Sequence, residues 1–352
     1  MEGSLRRAEP DPGPASPREL AALPPLVWPE GGRVIHVPAL PGRPTVLLLH
    51  GWVMNRSAWA TAAFPLLAGG VGLLMPDLPG HGDAKPLPSS VKPRAFFPTI
   101  GRRLVAGLDA LGIERVSLAG YSMGAAAALC LLDEAPSRVD RLFLLCPLVG
   151  ASTSQIIHNR WASFSRLVGN VRRALSGPHG GALWRVAPGL GVSSLPAPDR
   201  LVQHTAEVFA DGSWLPQESR FDTYVDASPE ATELEVFLEG LRRTDLRTTL
   251  RSLRASRTVS AAGPLGEWRG EIKLATGSLD ALSPPGFVRR IAGAVHPTRR
   301  AEAAAVSILE GVDHVALSQA PHEVTRLLFE WLGEPSQAPS TSQPAASGKV
   351  SP

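Results

Sequence analysis

The chain has 352 residues, 44% of them hydrophobic and 19% charged, which is enough apolar content for a sizeable core and excludes a disordered, fibrous or collagen-like protein. Its 35 Lys and Arg against 32 Asp and Glu leave a net charge of +3, too little over this length to argue for a nucleic-acid partner. Two cysteines, Cys130 and Cys146, lie inside apolar runs, which excludes a disulfide framework and fits a reducing compartment.

Residues 1–30 are rich in Pro, Ser, Ala and Gly, show no sustained periodicity and hold no apolar run long enough for a signal-peptide core. They read as a disordered or linker-like segment, and the expected location is cytoplasmic. From 31 to 147 strand and helix patterns alternate. Arg33–Val37 and Thr45–Leu49 read as strands, Ala58–Leu67 as a helix and Gly72–Met75 as a strand. Ala95–Leu111 repeats apolar residues at helical spacing, Val116–Ala119 is a short buried strand, Ala125–Leu132 a helix and Leu142–Leu145 a strand. Apolar strands alternating with helices predict an α/β fold: a mostly parallel central sheet with helices on both faces.

After Pro147 the rhythm breaks for about 120 residues, far longer than an ordinary connection, so 148–268 is expected to be an inserted, mainly helical cap. Its first half carries Arg160, Arg166, Arg172, Arg173 and Arg185 with no acid before Asp199; this is either a set of solvated helix faces or a basic lip for anionic substrates or lipid head groups. Trp161, Phe164, Leu167, Val168, Trp184, Phe209 and Trp214 are either an acyl pocket or the cap's own core. From Ser228 an N-cap serine, Pro229, early acids and late arginines predict a helix. The core resumes over 269–333 with strands Glu271–Ala275 and Ala303–Leu309 and a last amphipathic helix, Val315–Leu332; 334–352 reads as a disordered tail. No stretch approaches a membrane span, although peripheral lipid contact stays open.

The chemistry is concentrated at strand ends. Gly120-Tyr121-Ser122-Met123-Gly124 lies between a strand and a helix, a turn that exposes a serine at the carboxyl edge of the sheet. As a bare pattern it is weak; its strand, turn and helix context is what suits a nucleophile, with the Met123 N–H beside it for a developing oxyanion. Leu47-Leu48-Leu49-His50-Gly51-Trp52 ends another strand, where Gly51 can turn the Trp52 N–H toward Ser122, or where His50 simply holds the loop. Of nine histidines, His314 follows the last strand at the same edge and is the expected base. The orienting acid is expected at Asp280, after strand 271–275 and a glycine turn. Asp313 competes by adjacency, but neighbouring side chains in an extended loop diverge. No metal-binding pair of the H-E-x-x-H kind occurs, which argues against a metallohydrolase.

The order Ser122, Asp280, His314, with His50-Gly51-Trp52 and Asp77-Leu78-Pro79-Gly80-His81-Gly82, resembles the α/β-hydrolase superfamily and its serine esterase and lipase-like branch. The resemblance covers roughly 31–148 and 268–333. It departs at Asp83, where many relatives have serine, and in the single glycine of the oxyanion segment, which argues against the branch handling bulky tertiary esters. What it implies is ester cleavage through an acyl-enzyme, with catalytic Ser122, Asp280 and His314, oxyanion donors Trp52 and Met123, no metal or organic cofactor, and a small-molecule ester or acyl substrate. A thioesterase, acyltransferase or carbon–carbon bond hydrolase would use the same three residues, and a non-catalytic binding protein could share the fold. Serine at 122 speaks against dehalogenases and epoxide hydrolases, which carry aspartate there. The oligomeric state is left open.

Overall fold

The computed structural model describes residues 13–29, 32–150, 244–299 and 305–333. In chain order the elements are α1 (Pro17–Ala22), β1 (Leu26–Trp28), β2 (Gly32–Val37), β3 (Thr45–Leu49), α2 (Ala60–Ala63), β4 (Gly72–Pro76), α3 (Pro93–Ala110), β5 (Val116–Tyr121), α4 (Met123–Glu134), β6 (Val139–Leu145), α5 (Leu246–Ser256), α6 (Ala262–Glu267), β7 (Glu271–Gly277), α7 (Pro285–Gly293), β8 (Ser307–Leu309), α8 (Ala316–Gln319) and α9 (Pro321–Leu332). The eight strands form one sheet in the order β1-β2-β4-β3-β5-β6-β7-β8. β1/β2 and β2/β4 pair antiparallel and every other pair is parallel, so the sheet is mostly parallel, as the alternation predicts.

The strands are apolar on both faces because both faces are covered. Along β3, Leu47 and Leu49 enter one core with Phe96, Phe97 and Ile100 of α3 and Leu129 of α4, whereas Val46 and Leu48 enter the other with Trp59, Leu327 and Trp331. That is the period-two alternation of a strand, and each such leucine, fully buried, is worth roughly 1.5–3 kcal/mol of transfer free energy. In α9, Val324, Leu327, Leu328 and Trp331 recur at helical spacing on the buried side, and Gly333 at φ 71° ends the helix in the left-handed region.

Several expectations need correction. Part of the 1–30 segment is built in: α1 is capped by Ser16, whose Oγ accepts from Glu19 N at 3.1 Å, and β1 pairs along β2. The helix expected over Ala58–Leu67 is broken into a 3-10 turn (Arg56–Trp59), α2 and a second 3-10 turn (Phe64–Gly69). Pro65 sits where a continuous helix would need its N–H and room for its ring. The helix expected over Val315–Leu332 is likewise two, divided at Ala320, because Pro321 tolerates only a first-turn position. The last strand spans Ser307–Leu309, and 300–304 lie outside the described residues.

The expected cap boundary at 268 also moves. Ala255, Val259, Leu265 and Trp268 join the core shared by α3 and α4, and Arg251 of α5 donates to the carbonyls of Leu87, Pro88 and Val91 while lying over the Phe96 ring. Residues 244–268 therefore pack as core. Apolar burial and a guanidinium satisfied by three carbonyls are what attach them. The arginines from Arg160 to Arg185, the aromatic set and the Ser228 helix lie outside the described residues. Among the described residues no helix is long and apolar enough to cross a membrane.

Candidate active site

Ser122 stands between β5 and α4 at φ 52° and ψ −114°, a conformation that costs a side-chain-bearing residue of order 1–3 kcal/mol. The neighbouring strand holds it there: Ser122 N donates to Leu145 O at 2.9 Å, and Leu148 N donates to Ser122 O at 3.1 Å. The two flanking glycines are required by space. A Cβ on Gly120 would lie 2.6 Å from Gly124 O, and one on Gly124 would lie 2.3 Å from Leu49 O and 2.7 Å from His50 O. The helix can thus approach β3 closely enough to bring the His50-Gly51-Trp52 turn against the serine's own turn.

His314 lies between β8 and α8, and Asp280 lies on the turn after β7. Ser122 Oγ is 2.8 Å from His314 Nε2, and His314 Nδ1 is 2.9 Å from Asp280 Oδ2. The other carboxylate oxygen accepts from Leu282 N at 2.8 Å and Ser283 N at 2.7 Å. Burial works to raise the Asp280 pKa, but the imidazole and these N–H donors hold it below the usual carboxylate value. Burial works to lower the His314 pKa, and the Asp280 carboxylate outweighs it, so the imidazole sits above its ordinary value. With Asp280 accepting at Nδ1, the lone pair of neutral His314 faces Ser122 Oγ.

Asp313 is not joined to the imidazole by a hydrogen bond. Its carboxylate accepts from Val315 N at 2.8 Å within its own turn, and burial pushes its pKa up. The structure therefore brings Ser122, His314 and Asp280 together, and turns the adjacent acid to a local task. His322, in α9, is exposed.

Met123 opens α4, whose first turn no side chain caps, leaving main-chain N–H groups with the positive end of the helix beside Ser122. Trp52 lies in the turn after Gly51, where a Cβ at Gly51 would meet the Tyr121 ring at 2.8 Å. His50 does hold the loop: its Nδ1 lies 2.7 Å from Gly51 O and must donate there, because its Nε2 accepts from Leu78 N at 2.9 Å. That bond ties the 50–52 turn to the 77–82 segment. The same segment is locked by Asp77, which accepts from Arg56 N at 2.8 Å, from Asp83 N at 2.9 Å and from the Arg56 guanidinium.

Sequence reasoning passed over three residues around this site. Thr276 Oγ1 donates to Ser283 O at 2.6 Å and lies 3.2 Å from Asp280 Oδ2, bracing the acid's turn. Tyr121, the free position before the serine, donates its hydroxyl to His314 O at 2.6 Å. Cys146, buried at φ 47° directly after β6, has its thiol pushed well up by burial and by Asp280, so it is a neutral neighbour of the acid. Cys146, Asp280 and His314 are also the residues whose donor atoms lie close enough, within 4.8 Å, to hold a metal ion among those described, but His314 Nδ1 and Asp280 already spend those atoms on each other. Only the period and the positions after strand ends could have signalled these roles, and neither distinguishes them from ordinary core.

Two buried neutral histidines make the scaffold acid-sensitive. Burial pushes His50 down to about 4 and His81, with His50 adding to the effect, down to about 3, from 6.5. Between these values and 6.5 the unfolded chain binds protons that the folded chain refuses. Stability is therefore fully present above about pH 6.5 and falls as pH drops through that window, by about 3 kcal/mol for His50 alone. The urea midpoint should decrease from pH 7 to pH 4.5, and His81→Phe should flatten part of that slope. A midpoint independent of pH would contradict it.

With this geometry in place, likeness to known proteins becomes informative. Residues 44–286 match the family described as the alpha/beta hydrolase fold. Over 107 residues the chain is 36% identical to the 2-hydroxy-6-oxononadienedioate/2-hydroxy-6-oxononatrienedioate hydrolase of Cupriavidus pinatubonensis, a match covering 30% of this chain and 36% of that protein. Over 106 residues it is 35% identical to the pimeloyl-(acyl-carrier protein) methyl ester esterase of Aromatoleum aromaticum, covering 29% and 37%. The chain thus spans little more than a third of the length of these curated relatives. A crystal structure of a hydrolase from Pseudomonas aeruginosa PA01 superposes with a TM-score of 0.58 over 88% of this chain and 98% of that one, at 20% identity, which is likeness of fold alone.

Proposed function

The chain belongs to the α/β-hydrolase fold family, and from that premise we propose that it cleaves a carboxylic ester through an acyl-enzyme formed on Ser122. The observation that carries this reading is the pair of bonds from His314, Nε2 to Ser122 Oγ at 2.8 Å and Nδ1 to Asp280 Oδ2 at 2.9 Å. Ser122 Oγ attacks the ester carbonyl as its proton passes to His314 Nε2, and Asp280 stabilises the imidazolium without taking the proton itself. The Trp52 and Met123 N–H groups receive the negative charge on the carbonyl oxygen. Collapse releases the alcohol, which takes the proton from His314. Water then loses a proton to His314 and attacks the acyl group, and the acid leaves as His314 returns that proton to Ser122 Oγ.

A second reading, hydrolysis of a carbon–carbon bond by the same three residues, is favoured by the likeness to the hydrolase named for 2-hydroxy-6-oxononadienedioate. Both readings expect one fluorophosphonate bound per chain, and a chain-length series of p-nitrophenyl esters set against a 2-hydroxy-6-oxo dienoate separates them. Turnover of the esters with a clear chain-length optimum supports the first. Labelling without ester turnover, and cleavage of the dienoate, would replace it with the second.

A further inference from the structure

We propose that Tyr121 is a positioning residue that sets His314 at the distance and ring plane from which it exchanges a proton with Ser122. This rests on the reading of Ser122 as nucleophile and His314 as base. Tyr121 ends β5 and is buried at 1% exposure. Its hydroxyl donates to the main-chain carbonyl of His314 at 2.6 Å, and its ring stacks on the imidazole with centroids 5.9 Å apart and planes 29° apart. The next residue is Ser122, whose Oγ meets Nε2 of the same histidine. Two consecutive residues therefore grip His314 by its carbonyl, its ring face and its reacting nitrogen.

The sheet order explains why such a grip is needed. The nucleophile follows β5 and the acid follows β7, with β6 between them, so the base has to span two strands that do not touch. The loop carrying His314 is fastened mainly on the acid's side, through Leu279 N to Val312 O at 2.9 Å and Gly311 N to Ser278 Oγ at 2.9 Å. Within the loop, Asp313 N donates to Gln319 Oε1 and Val315 N to Asp313 Oδ1. The Tyr121 hydroxyl ties the main chain of this loop to the nucleophile's strand. The ring is itself fixed, lying edge-on to Trp59 at 6.3 Å and filling the space that a side chain at Gly51 would take. A histidine fastened only to the acid's strand would keep its bond to Asp280 while its Nε2 drifted from Ser122, and a misplacement of about 1 Å at a proton-transfer contact costs up to about 100-fold in rate.

The test is Tyr121→Phe, which keeps the ring and removes the donor, with Tyr121→Leu as a second variant that removes the stack as well. Turnover is normalised to the sites that a fluorophosphonate titrates, so that loss of folded protein is not counted as loss of rate. The expected result for Tyr121→Phe is a kcat per titrated site about 10- to 100-fold below wild type with KM within about 3-fold. The acid limb of its kcat/KM profile should stay where it is, because His314 keeps its bond to Asp280, and the loss should appear in kcat rather than KM. Tyr121→Leu should fall further. A kcat per titrated site within about twofold of wild type, or a loss accounted for by fewer titratable sites, would overturn the proposal and leave the hydroxyl a structural donor. Persistent phosphonylation of Ser122→Ala would instead remove the reading on which it rests.

Discussion

Ser122→Ala is expected to abolish covalent phosphonylation and to lower kcat by about 10⁴- to 10⁶-fold, with stability changed by no more than about 1 kcal/mol. The two effects separate because the elbow is shaped by main chain and glycines. Ser122 is held at φ 52° by its bonds to Leu145 and from Leu148, and its hydroxyl caps nothing in α4. Removing Oγ should therefore take away the proposed reacting atom and leave the turn in place, while the oxyanion donors proposed at Trp52 and Met123 sustain a residual rate over water. Mass spectrometry of the labelled chain, beside a thermal melt of each protein, reads both effects. Labelling that survives in Ser122→Ala, mapped to Ser283 or Ser117, would move the nucleophile.

Asp280→Asn should cost about 10³- to 10⁴-fold in kcat, whereas Asp313→Asn should stay within about tenfold of wild type. An asparagine at 280 can offer an N–H where His314 Nδ1 needs an acceptor, which turns the imidazole to the wrong tautomer for Ser122. It also removes the charge that outweighs burial at His314. With burial opposed only by the lesser pull of Asp313, the His314 pKa drops, and the acid limb of kcat/KM moves to lower pH even as the rate collapses. Asp313 is 2.8 Å from Val315 N, a bond that an asparagine oxygen can still accept. If Asp313→Asn proved the more damaging change, the role proposed for Asp280 would pass to its neighbour.

The parallel core was legible in the sequence because its signal is local and doubled. β3, β5 and the second half of β6 are apolar at nearly every position, as strands covered on both faces must be, and β3 and β5 each run into a turn containing glycine. The strand–turn–helix context of Gly120 to Gly124 is local too, and the clash distances at both glycines give it a physical cause. Helix interruptions at Pro65 and Pro321 were also written in the chain, but apolar periodicity runs through a proline unaltered, so periodicity alone joined what the missing N–H divides. The edge strand β1 has only three residues, two of them exposed, and its identity comes from pairing with β2 rather than from its own pattern.

What only the tertiary structure decided is which atoms meet. The sequence favours Asp280 over Asp313 because neighbouring side chains in an extended loop diverge, but it does not say what either carboxylate touches. The separation arises because the turn after β7 passes beneath His314 while Asp313 folds back onto Val315 N. Tyr121 occupies a position that the nucleophile pattern leaves free, and its reach to His314 spans 193 residues of chain. Residues 244–268, read from the sequence as part of the insertion, were drawn into the core by contacts with α3 and α4. Periodicity reports which face of an element is buried; it carries no information about what lies across that face, and the contacts around Ser122 are all of the second kind.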